Sequence, residues 1–447
     1  MSLTQVRSSL SRLLKSMCGI FMVLLIVLLY AGAACAELVS LAEGLRLAAE
    51  NSRFVRMAAQ DENIAAADIV TARAKLLPSI NASFSHTDLS DQPAAIFGAL
   101  SVPMSQRDFV SYSLNIQQTL YDFRANASRY EAGKIGLEIK KMDSRRVRNF
   151  VAVDFALAYL DLLESEKILK VAENEVRRLE AHLKDAGSLY DEGVITKNDL
   201  LQAEVRLSDA RQRLLSAGTS REFNASRLNS ALVRPLKSNI SVADMDGPAP
   251  LISEIAVEQA WLLAEQQRPE LQIADAALRS LDLEKTAKKA DYYPRLYARG
   301  GYDYTENRYQ VHAGNWSLTL GLGINLFNGG TTGAELAKID FSKAKLLEQR
   351  NRLADEIRLE VEKYMLNAKT AREKIAVSAG AVQQAEENLR INKARYEEGA
   401  GTATEVLDAV SLLTAAETNY YRARYEAEKA EAAVVYAIGS DLLEVYR

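Results

Sequence analysis

The sequence predicts an α+β membrane protein made of a duplicated helix-strand-strand-helix repeat, with four strands per chain and two long helical hairpins. Three observations carry that prediction. The first is an internal match. YDEGVITKNDLL from Tyr190 and YEEGAGTATEVL from Tyr396 share an aromatic, an acidic pair, Gly193 or Gly399, Thr196 or Thr402, an acid and a closing Leu, at a constant offset of 206 residues. The second is strict alternation of apolar and polar residues in two widely separated pairs of segments, the period of a strand with one wet and one apolar face. The third is a pair of proline-free helical stretches, each of about 67 residues, which at 1.5 Å per residue would run to about 100 Å, far beyond an ordinary globular helix.

Taken in order, residues 1–36 read as a secretory signal. Arg7, Arg12 and Lys15 precede an apolar run from Gly19 to Tyr30, and Ala34 and Ala36 supply the small side chains that a signal peptidase needs before Glu37. The run is shorter than the ~20 apolar residues that span a bilayer, which argues against an anchor. Both cysteines, Cys18 and Cys35, fall in this leader. Cys35 could instead carry lipid, although Gly32 stands where such sites usually want Leu. Without the three leader cations the formal charge falls from −4 to −7. A mildly acidic chain argues against a nucleic-acid partner, which asks for clustered Lys and Arg.

The first repeat spans 37–233. Leu41 to Lys75 is Ala-rich and reads as one helix ended by Pro78. Ile80, Ala82 and Phe84 then alternate with Ser79, Asn81, Ser83 and Ser85. A loop with Pro93, Gly98 and Pro103 leads to a second strand, where Val110, Tyr112, Leu114, Ile116 and Leu120 alternate with Ser111, Ser113, Asn115, Gln117 and Thr119. A long helix runs from Arg124 to Tyr190. The turn at Gly193 returns a helix to Leu232, with Thr196 placed to cap it.

A proline-bearing connector, 234–254, separates this from the second repeat, 255–447. Its first helix, Ile255 to Ala290, is broken or kinked at Pro269. Leu296, Ala298, Tyr302 and Tyr304 then alternate with Arg295, Tyr297, Arg299 and Asp303. Trp316, Leu318, Leu320, Leu322, Ile324 and Leu326 alternate with Ser317, Thr319, Gly321, Gly323 and Asn325. A long helix from Thr331 to Tyr396 carries a stripe of Leu353, Ile357, Val361, Tyr364 and Ala368. The turn at Gly399 returns a helix to Ala437. The first interstrand segment is ten residues longer than the second, a surface insertion that costs little.

One polar and one apolar face suits either a soluble sandwich or a membrane barrel with lipid outside and water inside. Aromatics near the strand ends, Tyr112, Tyr121, Trp316 and Phe327, favour the barrel. Four strands cannot close, and an open edge in lipid leaves backbone groups unpaired, so chains must pool their strands. Arg295, Arg299 and Asp303 then face a wet barrel lumen.

Several segments resemble the TolC-like outer-membrane channel proteins of efflux and type I secretion, over essentially the whole chain after residue 36. The marks are Arg268-Pro269-Glu270-Leu271, Tyr292-Tyr293-Pro294-Arg295-Leu296, Arg206-Leu207-Ser208-Asp209-Ala210 and both hairpin turns. The resemblance implies a homotrimer whose twelve pooled strands form one barrel, continued by an α-helical coiled-coil tunnel in the periplasm. It also implies a periplasmic adaptor (membrane fusion) protein and an inner-membrane transporter of RND or ABC type as partners. Adaptor docking would fall to Gly193, Thr196, Leu200, Arg206, Leu207, Ser208, Asp209, Gly399, Thr402 and Leu407. Glu405 and Asp408 match the family's periplasmic gate, where crowded carboxylates attract cations. Asp199 and Tyr396 match two members of its latch, while Gly401 replaces the third, an arginine.

No catalytic constellation is legible. His86, His182 and His312 are isolated, and Gly321 and Gly323 lack the third glycine and following helix of a phosphate loop. No cofactor is expected. The competing class is a soluble periplasmic adaptor or spacer with long coiled-coil hairpins, from which the two hairpins and membrane-type strands distinguish this chain.

Overall fold

The computed structural model describes residues 37–244 and 254–446; the expected signal segment lies outside the described residues. Their order is β1 (Glu37–Val39), α1 (Leu41–Asn51), α2 (Arg53–Ala74), β2 (Ser79–Asp88), β3 (Ala94–Phe97), β4 (Leu100–Pro103), β5 (Asp108–Tyr121), α3 (Ala125–Asp191) and α4 (Lys197–Ala231). Then follow β6 (Ile240–Val242), α5 (Val257–Gln267), α6 (Pro269–Lys289), β7 (Arg295–Thr305), β8 (Gly314–Gly323), α7 (Thr331–Glu397), α8 (Ala403–Ala437) and the short α9 (Leu442–Val445). Among the described residues no helix is long and apolar enough to cross a membrane.

Contacts divide the chain into two compact units, each drawing on both sequence repeats. Among the described residues one comprises 37–47, 155–244 and 375–425; the other comprises 48–154, 254–374 and 426–446.

The second unit holds the membrane-type strands in one antiparallel sheet of order β2-β5-β7-β8. Register puts every apolar set on the same face: Ile80 pairs with Ile116, Phe84 with Tyr112, Leu114 with Tyr302, and Tyr302 with Trp316. The opposite face joins Ser83 to Ser113, Asn115 to Gly301 and Arg299 to Thr319. A slip of one residue anywhere would exchange the faces, so four strands that agree are strong support for the register. The apolar face is bare, with Phe84, Trp316, Leu318 and Leu320 all at least 70% exposed. Gly321 is small for a local reason, since a Cβ there would lie 2.3 Å from the ring of Tyr297 across the strand pair.

The sequence expected one loop between the first two strands, but Ala94–Phe97 and Leu100–Pro103 pair as a hairpin. Gly98 turns it at a φ of +62°, and Pro103 is tolerated on an edge strand. The single helix expected from Leu41 to Lys75 is two. Ser52 leaves helical geometry and accepts the Phe54 N–H, so its hydroxyl competes with the backbone ladder and caps α2 instead. The strand expected to reach Leu326 ends at Gly323.

At Pro269 the expected helix is broken into α5 and α6, and the break has a partner. Arg268, extended as a residue before proline is, sends its guanidinium into the interior of this unit. There it meets Glu360 at 2.9 Å, Glu270 at 3.2 Å, and the carbonyls of Tyr436 and Ala437 at the end of α8. Around this joint lie Ala260, Ala264, Leu271, Ile357, Val361, Ala368, Val434 and Ile438. Leu353 and Tyr364, the rest of the expected stripe, pack on its edge.

In the first unit, β1 pairs in parallel with β6, so the chain's first described residues are tied to the connector. The Tyr159 hydroxyl bridges the ends of both strands, 2.6 Å from the Ala243 carbonyl and 3.0 Å from that of Val39. Burial pushes this phenol up to about 12. A second core, Val176, Leu179, Leu207, Ala210, Leu407 and Val410, packs α3, α4 and α8 together near the hairpin turns.

Candidate functional site

Both hairpin turns are built alike. Gly193 and Gly399 sit at φ of +75° and +71°, where an L side chain is strained, and their N–H groups close onto Tyr190 and Tyr396. Val194 N–H and Ala400 N–H reach back to the carbonyls of Leu189 and Arg395, both at 2.8 Å, which completes the helix stop. The next helix then starts with a capping box. Thr196 Oγ1 accepts from Asp199 N–H while the Asp199 carboxylate accepts from Thr196 N–H at 3.1 Å. Thr402 and Glu405 repeat it, with the Thr402 N–H donating to Glu405 at 2.8 Å.

The acids at these positions therefore have work within their own hairpins. The Thr402 backbone N–H, aided by the nearby Arg395 guanidinium, holds the Glu405 carboxyl below the ordinary glutamate value. Arg395 also donates to the Ala400 carbonyl within its own turn. Gly401 is packed into that turn; a Cβ there would come within 3.1 Å of Tyr396 N. Asp199 and Tyr396 are not hydrogen-bonded to each other. Tyr396 is buried with its hydroxyl unpartnered, and burial, with Asp199 and Asp185 nearby, raises it.

The structure brings the two hairpins into direct polar contact at residues that the sequence assigned to separate roles. Arg206 lies 3.5 Å from Asp408, and Thr404 lies 3.3 Å from Gln202. Below them Leu207 and Leu407 are interior. Both pack in the core that joins α3, α4 and α8, so neither side chain is displayed on the surface of this chain. Arg206, Ser208, Asp209, Gly193, Thr196, Gly399 and Thr402 are exposed, with Leu200 half-buried, and Ser208 bonds back to the Glu204 carbonyl. Farther along, Arg178 of α3 makes a two-pronged pair with Glu417 of α8 at 2.8 and 3.0 Å.

Sequence reasoning missed three members of this region. His182 looked isolated, yet its ring centroid lies 5.2 Å from that of Tyr396. Gln202 and Thr404 form their bond only because α4 and α8 run side by side, a pairing 202 residues apart in the chain. The 206-residue offset carries a signal for that pairing, since equivalent turns in a duplication lie at equivalent depths.

In the strand sheet, Arg295, Arg299 and Asp303 all fall on the polar face of β7. Arg299 donates to the Gln117 side-chain carbonyl at 3.0 Å, and Arg295 is paired with Asp291. Among the described residues no group of three or more His, Cys, Asp or Glu side chains is placed to hold a metal ion.

Comparison with known proteins agrees with this geometry. The family model described as outer membrane efflux protein matches residues 44–233 and 262–440. The alkaline protease secretion protein AprF of Pseudomonas aeruginosa is 25% identical over 407 residues, covering 86% of this chain and 81% of that protein. The outer membrane protein TolC of Vibrio cholerae is 22% identical over 403 residues, covering 87% of each. Among solved structures, the outer membrane protein VceC of Vibrio cholerae superposes with a TM-score of 0.75 at 18% identity, covering 90% of this chain and 96% of that one. Matched on both repeats and in the order of its strands and hairpins, the chain belongs to the outer membrane efflux protein family, as an outer-membrane efflux or secretion channel with periplasmic helices and not as an enzyme or a soluble spacer.

Proposed function

We propose that three copies of this chain pool their strands into a twelve-stranded barrel in outer-membrane lipid, and their hairpins into a coiled-coil tunnel. Substrates would pass through it passively from a periplasmic adaptor and an inner-membrane transporter of RND or ABC type. The observation that carries the reading is the sheet itself. It has four strands, a bare apolar face, a polar face and two unpaired edges at β2 and β8. In lipid those edges need partners, and another copy of the same sheet supplies them with matching faces.

In this assembly 37–233 and 255–447 act as two repeats around the connector 234–254. Arg295, Arg299 and Asp303 line the wet interior. Glu405 and Asp408, repeated in each chain near the hairpin turns, ring the inner opening and draw cations toward it. The exposed residues Arg206, Ser208 and Asp209, with the turns at Gly193 and Gly399, form the adaptor's docking face. The similarity to AprF, by name a protease secretion protein, makes polypeptide export a second cargo class beside the efflux substrates of the family.

The test is reconstitution in a planar bilayer together with the mass of the detergent-solubilised particle. A three-copy particle that conducts ions, with divalent-cation block weakened by Glu405→Ala and Asp408→Ala together, supports the proposal. A folded monomer without a conducting state overturns it.

A further inference from the structure

We infer that the His182 and Tyr396 contact is a proton-operated release between the two hairpins: protonating His182 parts α3 from α7 near the turns. His182 lies on α3 and Tyr396 on α7, in different hairpins of the same unit, and their rings lean together at 51°. Each residue is only 5% exposed. Neither His182 Nε2 nor the Tyr396 hydroxyl has a hydrogen-bond partner, although both are sealed from solvent. Beside them lies a cavity of about 290 Å³ whose lining includes Leu389, Val406, Val410, Arg177 and Lys393.

This arrangement accepts a neutral imidazole and rejects a charged one. A neutral ring buried against a phenol ring leaves polar atoms unsatisfied, a cost that moderate packing can offset. An imidazolium in the same place must lose its hydration with no acceptor at Nε2. The charges facing it do not remove the difficulty. On α3, Asp185 favours protonation, Arg177 lines the cavity with its guanidinium bonded to Asn174, and Arg178 is occupied by Glu417 of α8. On α7, Lys393 opposes it and Glu397 also lines the cavity. From α8 the apolar Val406 and Val410 line the cavity; from the start of α4, Asp199 acts on Tyr396. Burial is the largest influence and lowers the His182 value, with Lys393 adding to it against Asp185.

When the hairpins part, both ring nitrogens reach water and the value returns toward the ordinary 6.5. The parted state therefore binds more protons than the closed one between the two values. Closed packing is intact above the ordinary value and weakens as pH falls below it, until the lowered value is passed. One proton per chain changes the ratio of parted to closed hairpins by at most about tenfold per pH unit. Tyr396, shifted upward, stays a phenol throughout. The release needs only this unit; its effect on conduction rests on the proposal that the turns form the inner opening.

The test uses the full-length protein in detergent with spin labels on Ser188→Cys and Ala394→Cys. Cys18 and Cys35, the only native cysteines, are first replaced by Ser so that labelling is specific. Lowering the pH from about 7.5 to about 5 should move the label separation to longer distances, while His182→Phe, which keeps a ring against Tyr396 but takes no proton, should hold the short distance throughout. His182→Gln serves as the second non-titrating variant if the phenylalanine disturbs folding. An unshifted distribution in the parent, or the same shift in a non-titrating variant, overturns the release. Single-channel current recorded in parallel separates the two ideas: a distance change without a current change leaves the release standing and counts against the gate.

Discussion

Arg206 of α4 and Asp408 of α8 face each other across the two hairpins, 3.5 Å apart and each about half exposed or more. The family resemblance put one at a docking face and the other at a gate. Their contact gives the two roles a shared element, because any partner that recruits the Arg206 guanidinium must take it from Asp408. An exposed pair at this distance is worth about 0–1 kcal/mol and weakens with salt. Arg206→Glu should therefore loosen the turns only slightly, and Arg206→Glu with Asp408→Arg should restore the contact. A double-mutant cycle on hydrogen-exchange protection near Thr404 measures it; coupling well above about 1 kcal/mol would mean that the pair is shielded in the assembly.

Arg268 is a different case, since its side chain is 7% exposed and serves two carboxylates and two carbonyls. Removing it takes the guanidinium from Glu360, Glu270 and the Ala437 carbonyl, while the Tyr436 carbonyl keeps the Gly439 N–H. Arg268→Met is expected to cost about 3–5 kcal/mol, the range for breaking a buried pair by deleting one partner. Arg268→Lys should recover little, because a single ammonium cannot span the same four acceptors in the plane that the guanidinium occupies. Thermal unfolding of the purified protein, with protection of the Ile438 and Gly439 amides as the local readout, checks both.

The neighbouring glycines of β7 make opposite demands. A Cβ on Gly301 would lie 2.7 Å from the Leu114 carbonyl oxygen on β5, a backbone atom that cannot swing away. A Cβ on Gly300 would find its nearest neighbour at 3.7 Å, an ordinary contact on the apolar face. Gly301→Val should thus part β5 from β7 and abolish folded, protease-resistant sheet, whereas Gly300→Ala should leave it intact. Limited proteolysis of detergent-folded protein distinguishes them, and equal resistance in the two variants would remove the steric argument.

How much of this was legible beforehand follows the range of each interaction. Period-two alternation is local, so all four membrane-type strands and the face carrying Arg295, Arg299 and Asp303 could be read directly. The turns at Gly193 and Gly399 were legible for the same reason, and repetition at a constant offset doubled the signal. The β3 and β4 hairpin was hidden by Pro93 and Pro103, which read as loop punctuation although they only delimit short edge strands. Ser52 was hidden because a serine within an Ala-rich run carries no mark of which hydrogen bond it will choose. Chemistry between hairpins was the least legible. Nothing in α3 by itself tells that His182 will meet Tyr396 and not water, because that depends on how α7 lies against it. Leu207, read as a docking residue from its motif, turns inward for the same reason: helix pairing decides which face of α4 is covered.

The last prediction concerns acid, and it separates two groups that sit close together. Glu405 is held below the ordinary value of 4.5 chiefly by the Thr402 backbone N–H. A carboxyl whose folded value is depressed contributes its stabilisation above the unfolded value and loses it as pH falls through the folded one. The start of α8 should therefore stay capped through mild acid and fray only below about pH 4.5, two units under the ordinary histidine value that governs His182. Thr402→Ala removes the hydroxyl half of the box and should cost about 1 kcal/mol at neutral pH, leaving the Glu405 contact to the Thr402 N–H in place. Glu405→Gln should abolish the low-pH fraying while leaving any change between about pH 7.5 and 5 untouched, since the amide still accepts from the N–H but no longer titrates. Hydrogen exchange at the Thr402 and Glu405 amides, followed against pH in the parent and both variants, decides it. Fraying of α8 that begins near the histidine range in the parent, and persists in Glu405→Gln, would assign the acid response of the turn to His182 alone.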